Sequence, residues 1–185
     1  FRTTVSTALD ALAHAVESMF SPRADFLSKQ FSLISVKMLY PLLEKIQKTK
    51  ELPDKADRDT LYYASLYAGF ALNKGGTGFP HGMGYALTED YGVPHGLACA
   101  VFLPQYIKEA QKSNPKLCNE LFEAMGTDFN SLESLFSYFC TFDFKIPEKN
   151  IKEYEKRWET LKNFKNSPTD FNNLDAGNLV RKLFS

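Results

Sequence analysis

Nowhere in this sequence do apolar and polar residues alternate with a period of two for long enough to make a half-buried strand. Apolar residues recur instead at three- and four-residue spacings along almost the whole chain, the pattern of helices with one buried face. This predicts an all-α fold, a bundle-like domain without internal repeats that forms one unit over residues 1–185. At 185 residues, 44% of them hydrophobic and 24% charged, the chain can bury a sizeable core and is not compositionally disordered.

The first helix is expected from about Thr4 to Phe20, with Leu9, Leu12, Ala13, Val16 and Phe20 on one apolar arc and Ser21-Pro22 as its stop. A longer one should run from about Asp25 to Lys48, kinked or shortened by Pro41. From about Arg58 to Lys74 the residues Leu61, Ala64, Ser65, Ala68, Gly69 and Leu72 make a small-residue stripe suited to close helix packing. Gly75-Gly76-Thr77-Gly78 then caps it. Pro80 and Pro94 suit first helical turns. They predict a short helix carrying His81 and a helix from Pro94 through Ile107 that Pro104 kinks. Amphipathic segments follow at roughly 115–125, 131–139, 147–164 and 175–184. Phe136, Phe139, Phe142 and Phe144 cluster as core packing or a domain interface, and the charged face of 145–165 reads as solvated.

The chain has only three histidines, and their placement is the main chemical signal. Asp10 and His14 are four residues apart, which puts them within roughly 40° of one another on a helix face. His81 and His95 both follow a proline and precede a glycine. Singly, an i,i+4 acid and histidine pair is ordinarily a surface ion pair, and a histidine at a helix start is ordinarily a turn residue. Together the four suggest one site for a divalent ion held by Asp10, His14, His81 and His95. Three imidazoles and a carboxylate suit Fe(II), Zn(II) or Ni(II); four ligands close a tetrahedral zinc site but leave an octahedral iron open to substrate.

Other chemistries find little support. The 75–78 glycine run has neither a dinucleotide fingerprint nor a P-loop lysine, and no strand precedes it. A Ser-His-Asp triad would have to take one of the three histidines from the metal. Twenty-two basic residues balance twenty-two acidic ones, so nothing electrostatic argues for nucleic acid or an anionic membrane, and a small-molecule partner is expected. Cys99, Cys118 and Cys140 are odd in number and contain no C-x-x-C, which fits a reducing, cytoplasmic setting without a disulfide framework. No apolar run is long enough to span a bilayer. The first residue is Phe1 instead of Met, which reads as a piece of a longer protein.

The segments Asp10-Ala-Leu-Ala-His14-Ala-Val-Glu17, Ala68-Gly69, and the glycine-rich run carrying His81 together with Val93-Pro-His95-Gly-Leu-Ala-Cys-Ala-Val-Phe-Leu-Pro104 resemble the C-terminal domain of the iron-containing (group III) alcohol dehydrogenases. The tail from Asn166-Ser-Pro168 through Asp175 and Leu179 is also similar. The resemblance implies the all-helical, dehydroquinate synthase-like C-terminal fold and a metal site of Fe(II), or zinc or another divalent ion, on Asp10, His14, His81 and His95. It further implies NAD(P) bound by an N-terminal, Rossmann-like domain that has no counterpart in this chain, an alcohol or aldehyde substrate, and a possible homodimer. Many members carry a histidine four residues after the one matched by His81. Here that position is Tyr85, which the resemblance implies as a catalytic residue in the histidine's place and whose phenol hydrogen-bonds but relays protons poorly near neutrality. The isolated chain is expected to bind metal without turnover. The alternatives weighed are a freestanding helical metal-dependent phosphohydrolase, disfavoured by the absence of any His-Asp dipeptide, and a non-catalytic helical module.

Overall fold

A computed structural model describes residues 2–184, and every regular element among them is a helix. In chain order these are α1 (Arg2–Met19), α2 (Phe26–Thr49), α3 (Lys55–Gly75), α4 (Phe79–Tyr91), α5 (His95–Ala100), α6 (Leu103–Ser113), α7 (Pro115–Met125), α8 (Phe129–Phe139), α9 (Glu148–Trp158), α10 (Lys162–Lys165) and α11 (Asn173–Phe184).

The other helices are built around α1. Its large residues Leu9, Leu12, Val16 and Met19 are buried, and so are the small ones Ala8, Ala11 and Ala15 between them. From Ala8 onward only Asp10 and His14 of α1 reach solvent, and the helix packs against α2, α3 and α5 at once. The apolar arc read from sequence is therefore too narrow. Alanine contributes little side chain of its own, so neighbouring helices approach closely on the sides the arc leaves out.

Local signals explain where α2 and α3 begin and end. Asp25 opens α2 with a capping box, its carboxylate accepting the Ser28 N–H while the Ser28 hydroxyl accepts the Asp25 N–H. Pro41 does not shorten the helix, which continues to Thr49. Pro41 and Lys37 both lie on the exposed face, so the carbonyl that proline leaves unpaired can turn to water. Asp54 caps α3 through the Asp57 N–H, which moves its start ahead of the expected Arg58. The small-residue stripe is rotated from the expected one: Ala64, Ala68, Ala71 and Gly75 are buried, while Ser65 and Gly69 face out. Gly76, with φ 71°, ends the helix as the C-cap.

Two expected helices are each two. Residues 94–107 break at Val101-Phe102, because Pro104 takes the second position of a new helix, where its missing N–H costs nothing. Residues 147–164 break after Trp158, and the turn lays Leu161 and Asn163 against Gly82 of α4. The helix at Pro80 is longer than the short one expected, with 13 residues. In α9 only Ile151, Tyr154 and Trp158 are buried, which leaves its charged residues outside. Phe136 lies in the core and Phe139, Phe142 and Phe144 pack on its edge, Phe144 stacking on both Tyr91 and Phe184.

Candidate metal centre

Three helices converge on one point. Asp10 and His14 come from α1, His81 from the first turn of α4, and His95 is the first residue of α5. The approach depends on glycine: a Cβ on Gly96 would overlap the Ser6 carbonyl and lie 2.9 Å from the Asp10 Cβ. Any side chain there would push α5, and His95 with it, away from α1. Gly84 does the same between α4 and α5, where a Cβ would sit 2.9 Å from the Cys99 sulfur.

At the centre, Asp10 Oδ1 lies 3.3 Å from His81 Nε2 and 3.8 Å from His95 Nε2. His14 approaches the other carboxylate oxygen, its Nδ1 4.0 Å from Asp10 Oδ2, and its ring stacks on His81 with centroids 4.4 Å apart. Tyr85 stacks on His95 at 5.2 Å and is 48% exposed, so it covers one face of that imidazole and reaches solvent. All five residues singled out from sequence thus occupy one region.

Two further residues belong to this region, although the sequence reading gave them no role. Cys99, one turn beyond His95, brings its sulfur within 4.8 Å of the facing donor atoms of Asp10, His81 and His95. Glu17 is fully buried, and its Oε1 lies 2.6 Å from His81 Nδ1. Its Oε2 accepts the backbone N–H groups of Gly78 at 2.8 Å and His81 at 3.4 Å. The start of α4 has no capping side chain of its own, because its N-cap is Gly78. Glu17 and the Ser167 hydroxyl, which accepts the Phe79 N–H at 3.0 Å, do that work from elsewhere in the chain. One sequence signal could have found Glu17: Asp10, His14 and Glu17 fall at i, i+4 and i+7, a single helix stripe.

Burial raises the Asp10 carboxyl, but the His81 contact and the charges of the three imidazoles outweigh it and hold the group below its ordinary range. Burial, reinforced by His81, pushes His14 down to about 4, and burial likewise lowers His95. Both present neutral imidazoles near pH 7, the form that coordinates a metal. His81 differs: burial opposes its charged form, yet Glu17 on one side and Asp10 on the other raise its affinity for protons.

Asp10 Oδ1 and His81 Nε2 are both buried, and neither has a hydrogen-bond partner. Buried polar atoms in native proteins are almost always satisfied, and this pair, 3.3 Å apart without a directed hydrogen bond, is one that a shared cation would complete. A carboxylate oxygen and imidazole nitrogens are the donors that Fe(II) and Zn(II) accept, and the residues present fit such an ion.

The sequence and fold have relatives among known proteins. Residues 4–174 match the C-terminal portion of the Fe-containing alcohol dehydrogenase family. The 1,3-propanediol dehydrogenase of Klebsiella pneumoniae is 31% identical over 133 residues, which cover 71% of this chain and 34% of that protein. The 4-hydroxybutyrate dehydrogenase of Clostridium kluyveri is 27% identical over 173 residues, covering 88% of this chain and 45% of that one. Among solved structures, an iron-containing alcohol dehydrogenase from Thermotoga maritima superposes with a TM-score of 0.84 at 23% identity, over 98% of this chain and 49% of that one. The chain therefore spans between a third and a half of the length of these relatives.

Proposed function

Because this chain belongs to the Fe-containing alcohol dehydrogenase family as its C-terminal part, we propose that it is the metal- and substrate-binding half of an NAD(P)-dependent enzyme interconverting alcohols with aldehydes or ketones. The observation that carries the reading is the convergence of Asp10, His14, His81 and His95, with two buried donors, Asp10 Oδ1 and His81 Nε2, left without partners. These four residues are the proposed ligands. A divalent ion held by them supplies a Lewis acid that polarises the substrate oxygen.

The chain's own residues do the rest. Asp10 contributes the negative charge that offsets part of the ion's, and three imidazoles from three helices fix where the ion sits. Asp10 and His95 are 28% and 35% exposed, whereas His81 is 2% exposed, so the site opens on the Asp10 and His95 side and is closed behind His81. Tyr85 stands on that open side. In the proposed enzyme its hydroxyl donates a hydrogen bond to the bound substrate, and proton relay is left to other groups. NAD(P) enters from a nucleotide-binding domain in the portion of the relatives beyond this match, and hydride transfer takes place where the two parts meet. A cytoplasmic enzyme is proposed from the three free cysteines, and no described helix is long and apolar enough to cross a membrane.

The test has two arms. Loaded with Fe(II), the 185-residue chain alone should form no detectable NAD(P)H from primary alcohols. Joined to the N-terminal half of a 1,3-propanediol dehydrogenase, it should oxidise alcohols, and Asp10→Ala should abolish that activity. Turnover by the chain alone, or an active joined enzyme indifferent to Asp10→Ala, would refute the proposal.

A further inference from the structure

Behind the ligand cluster lies a carboxylate that touches neither substrate nor metal position. We propose that Glu17 is a positioning residue that fixes which nitrogen of His81 faces the metal: its carboxylate accepts the Nδ1 hydrogen bond, so that Nε2 is left aimed at Asp10. The inference rests on the reading of Asp10 and His81 as metal ligands given above.

An imidazole can present either nitrogen, and the partner of one decides the role of the other. For His81 the two sides are unlike. Nδ1 faces Glu17 Oε1 at 2.6 Å, while Nε2 faces Asp10 Oδ1 at 3.3 Å without a directed hydrogen bond. With a metal ion taking the Nε2 lone pair the ring keeps a single proton, and because a carboxylate only accepts, Glu17 holds that proton on Nδ1.

Glu17 cannot swing away from this task. Both of its oxygens are engaged, Oε1 by His81 and Oε2 by the Gly78 and His81 amides at the start of α4. The Glu17 backbone carbonyl also accepts the Tyr106 hydroxyl at 3.0 Å, which anchors that turn of α1. A fully buried carboxylate is costly unless it is matched by donors, and here an imidazole N–H, two amide N–H groups and a helix N-terminus supply the match. The same side chain therefore sets the position of α4 and the orientation of the histidine on it. A glutamine of equal shape cannot do both, because it has one acceptor oxygen for two directions of donors and its NH₂ would face a proton already in place.

Binding of Zn(II) to the 185-residue chain, with nitrogen-detected NMR of the histidine rings, separates these roles. In the Zn-loaded native protein, His81 should carry its proton on Nδ1 and the metal on Nε2. Glu17→Gln should weaken Zn(II) binding roughly 10- to 100-fold and remove the protected His81 Nδ1 proton. Ser167→Ala is the control, since it takes a different cap from the same end of α4 without touching His81. It should lower the melting temperature and leave Zn(II) affinity within about twofold.

An equal loss of affinity in both variants would reduce Glu17 to a helix cap and overturn the inference, as would zinc on His81 Nδ1 in the native protein. If Glu17→Gln fails to fold, the native spectrum alone decides between the two nitrogens. If the native chain binds no Zn(II), the metal reading fails first, and the Nδ1 proton of metal-free His81 still tests whether Glu17 orients the ring.

Discussion

Two side-chain contacts in this molecule have the same length and opposite surroundings. His81 Nδ1 meets Glu17 Oε1 at 2.6 Å with both residues in the interior, and Arg181 Nη2 meets Glu148 Oε1 at 2.6 Å on the surface between α9 and α11. The second is the richer by count. Arg181 holds both oxygens of Glu148 and also Glu155 Oε1 at 2.7 Å. Water and salt can replace most of what those surface contacts supply, whereas nothing can replace the buried ones. The chemistry of the proposed site is thus placed by contacts whose loss leaves charges and amides stranded, and the periphery is joined by contacts the solvent can take over.

The largest effect should come from removing the buried carboxylate altogether. Glu17→Ala strands His81, the Gly78 N–H and the α4 terminus, and should cost about 3–5 kcal/mol in chemical denaturation. A loss below 1 kcal/mol would erase the contrast between the two regions. Next, Gly96→Ala drives a methyl group into the Ser6 carbonyl and should cost about 1–3 kcal/mol. Because the strain acts directly on His95, the same variant should also weaken metal binding, as equilibrium dialysis would show.

Asn166→Ala tests a half-buried intermediate. Asn166 donates to the Gly75 and Thr77 carbonyls at 2.8 and 3.0 Å and so holds the turn ahead of α4. Its loss should cost about 1 kcal/mol, in the range of a hydrogen bond whose acceptors regain some water. The smallest effect belongs to Arg181→Ala, which should leave the melting temperature within about 2 °C and should shift it less still at high salt. A surface substitution as costly as Glu17→Ala would break the comparison from the other side.

How much of this could be read from the sequence varies with the origin of each feature. The start of α2 is marked by Asp25 and the end of α3 by Gly76, because caps act within a few residues of one another; Asp54 marks the start of α3 in the same way, ahead of the Arg58 expected from the apolar pattern. The break between α9 and α10 has no such mark. It exists so that Leu161 can lie against Gly82, nearly eighty residues earlier in the chain, and no local pattern contains that contact. The small-residue stripe on α3 was legible as a stripe, but its rotation was not, since Ser65 and Gly69 are as small as Ala71 and Gly75 and only the neighbours decide which arc is covered.

The site divides in the same way. Asp10, His14, His81 and His95 stand out through the scarcity of histidine and the glycines beside two of them. Cys99 lies one turn beyond His95 on α5, which the spacing encodes, but its approach to Asp10 and His81 depends on how closely α4, α5 and α1 pack at Gly84 and Gly96, which no spacing encodes. Glu17 was visible as part of the Asp10 and His14 stripe, yet a glutamate on a helix is ordinarily a solvated one. What makes it different is burial, which follows from the packing of α1 on every side.

In the proposed function, three helices are held together so that Asp10, His14, His81 and His95 bind one divalent ion. Elemental analysis of the chain purified without oxygen, beside His81→Ala and His95→Ala, tests it most directly. The account predicts close to one equivalent of iron or zinc in the native chain and its loss in both variants. A native chain that retains no metal after anaerobic loading with Fe(II), or variants that retain as much as the native chain, would contradict it.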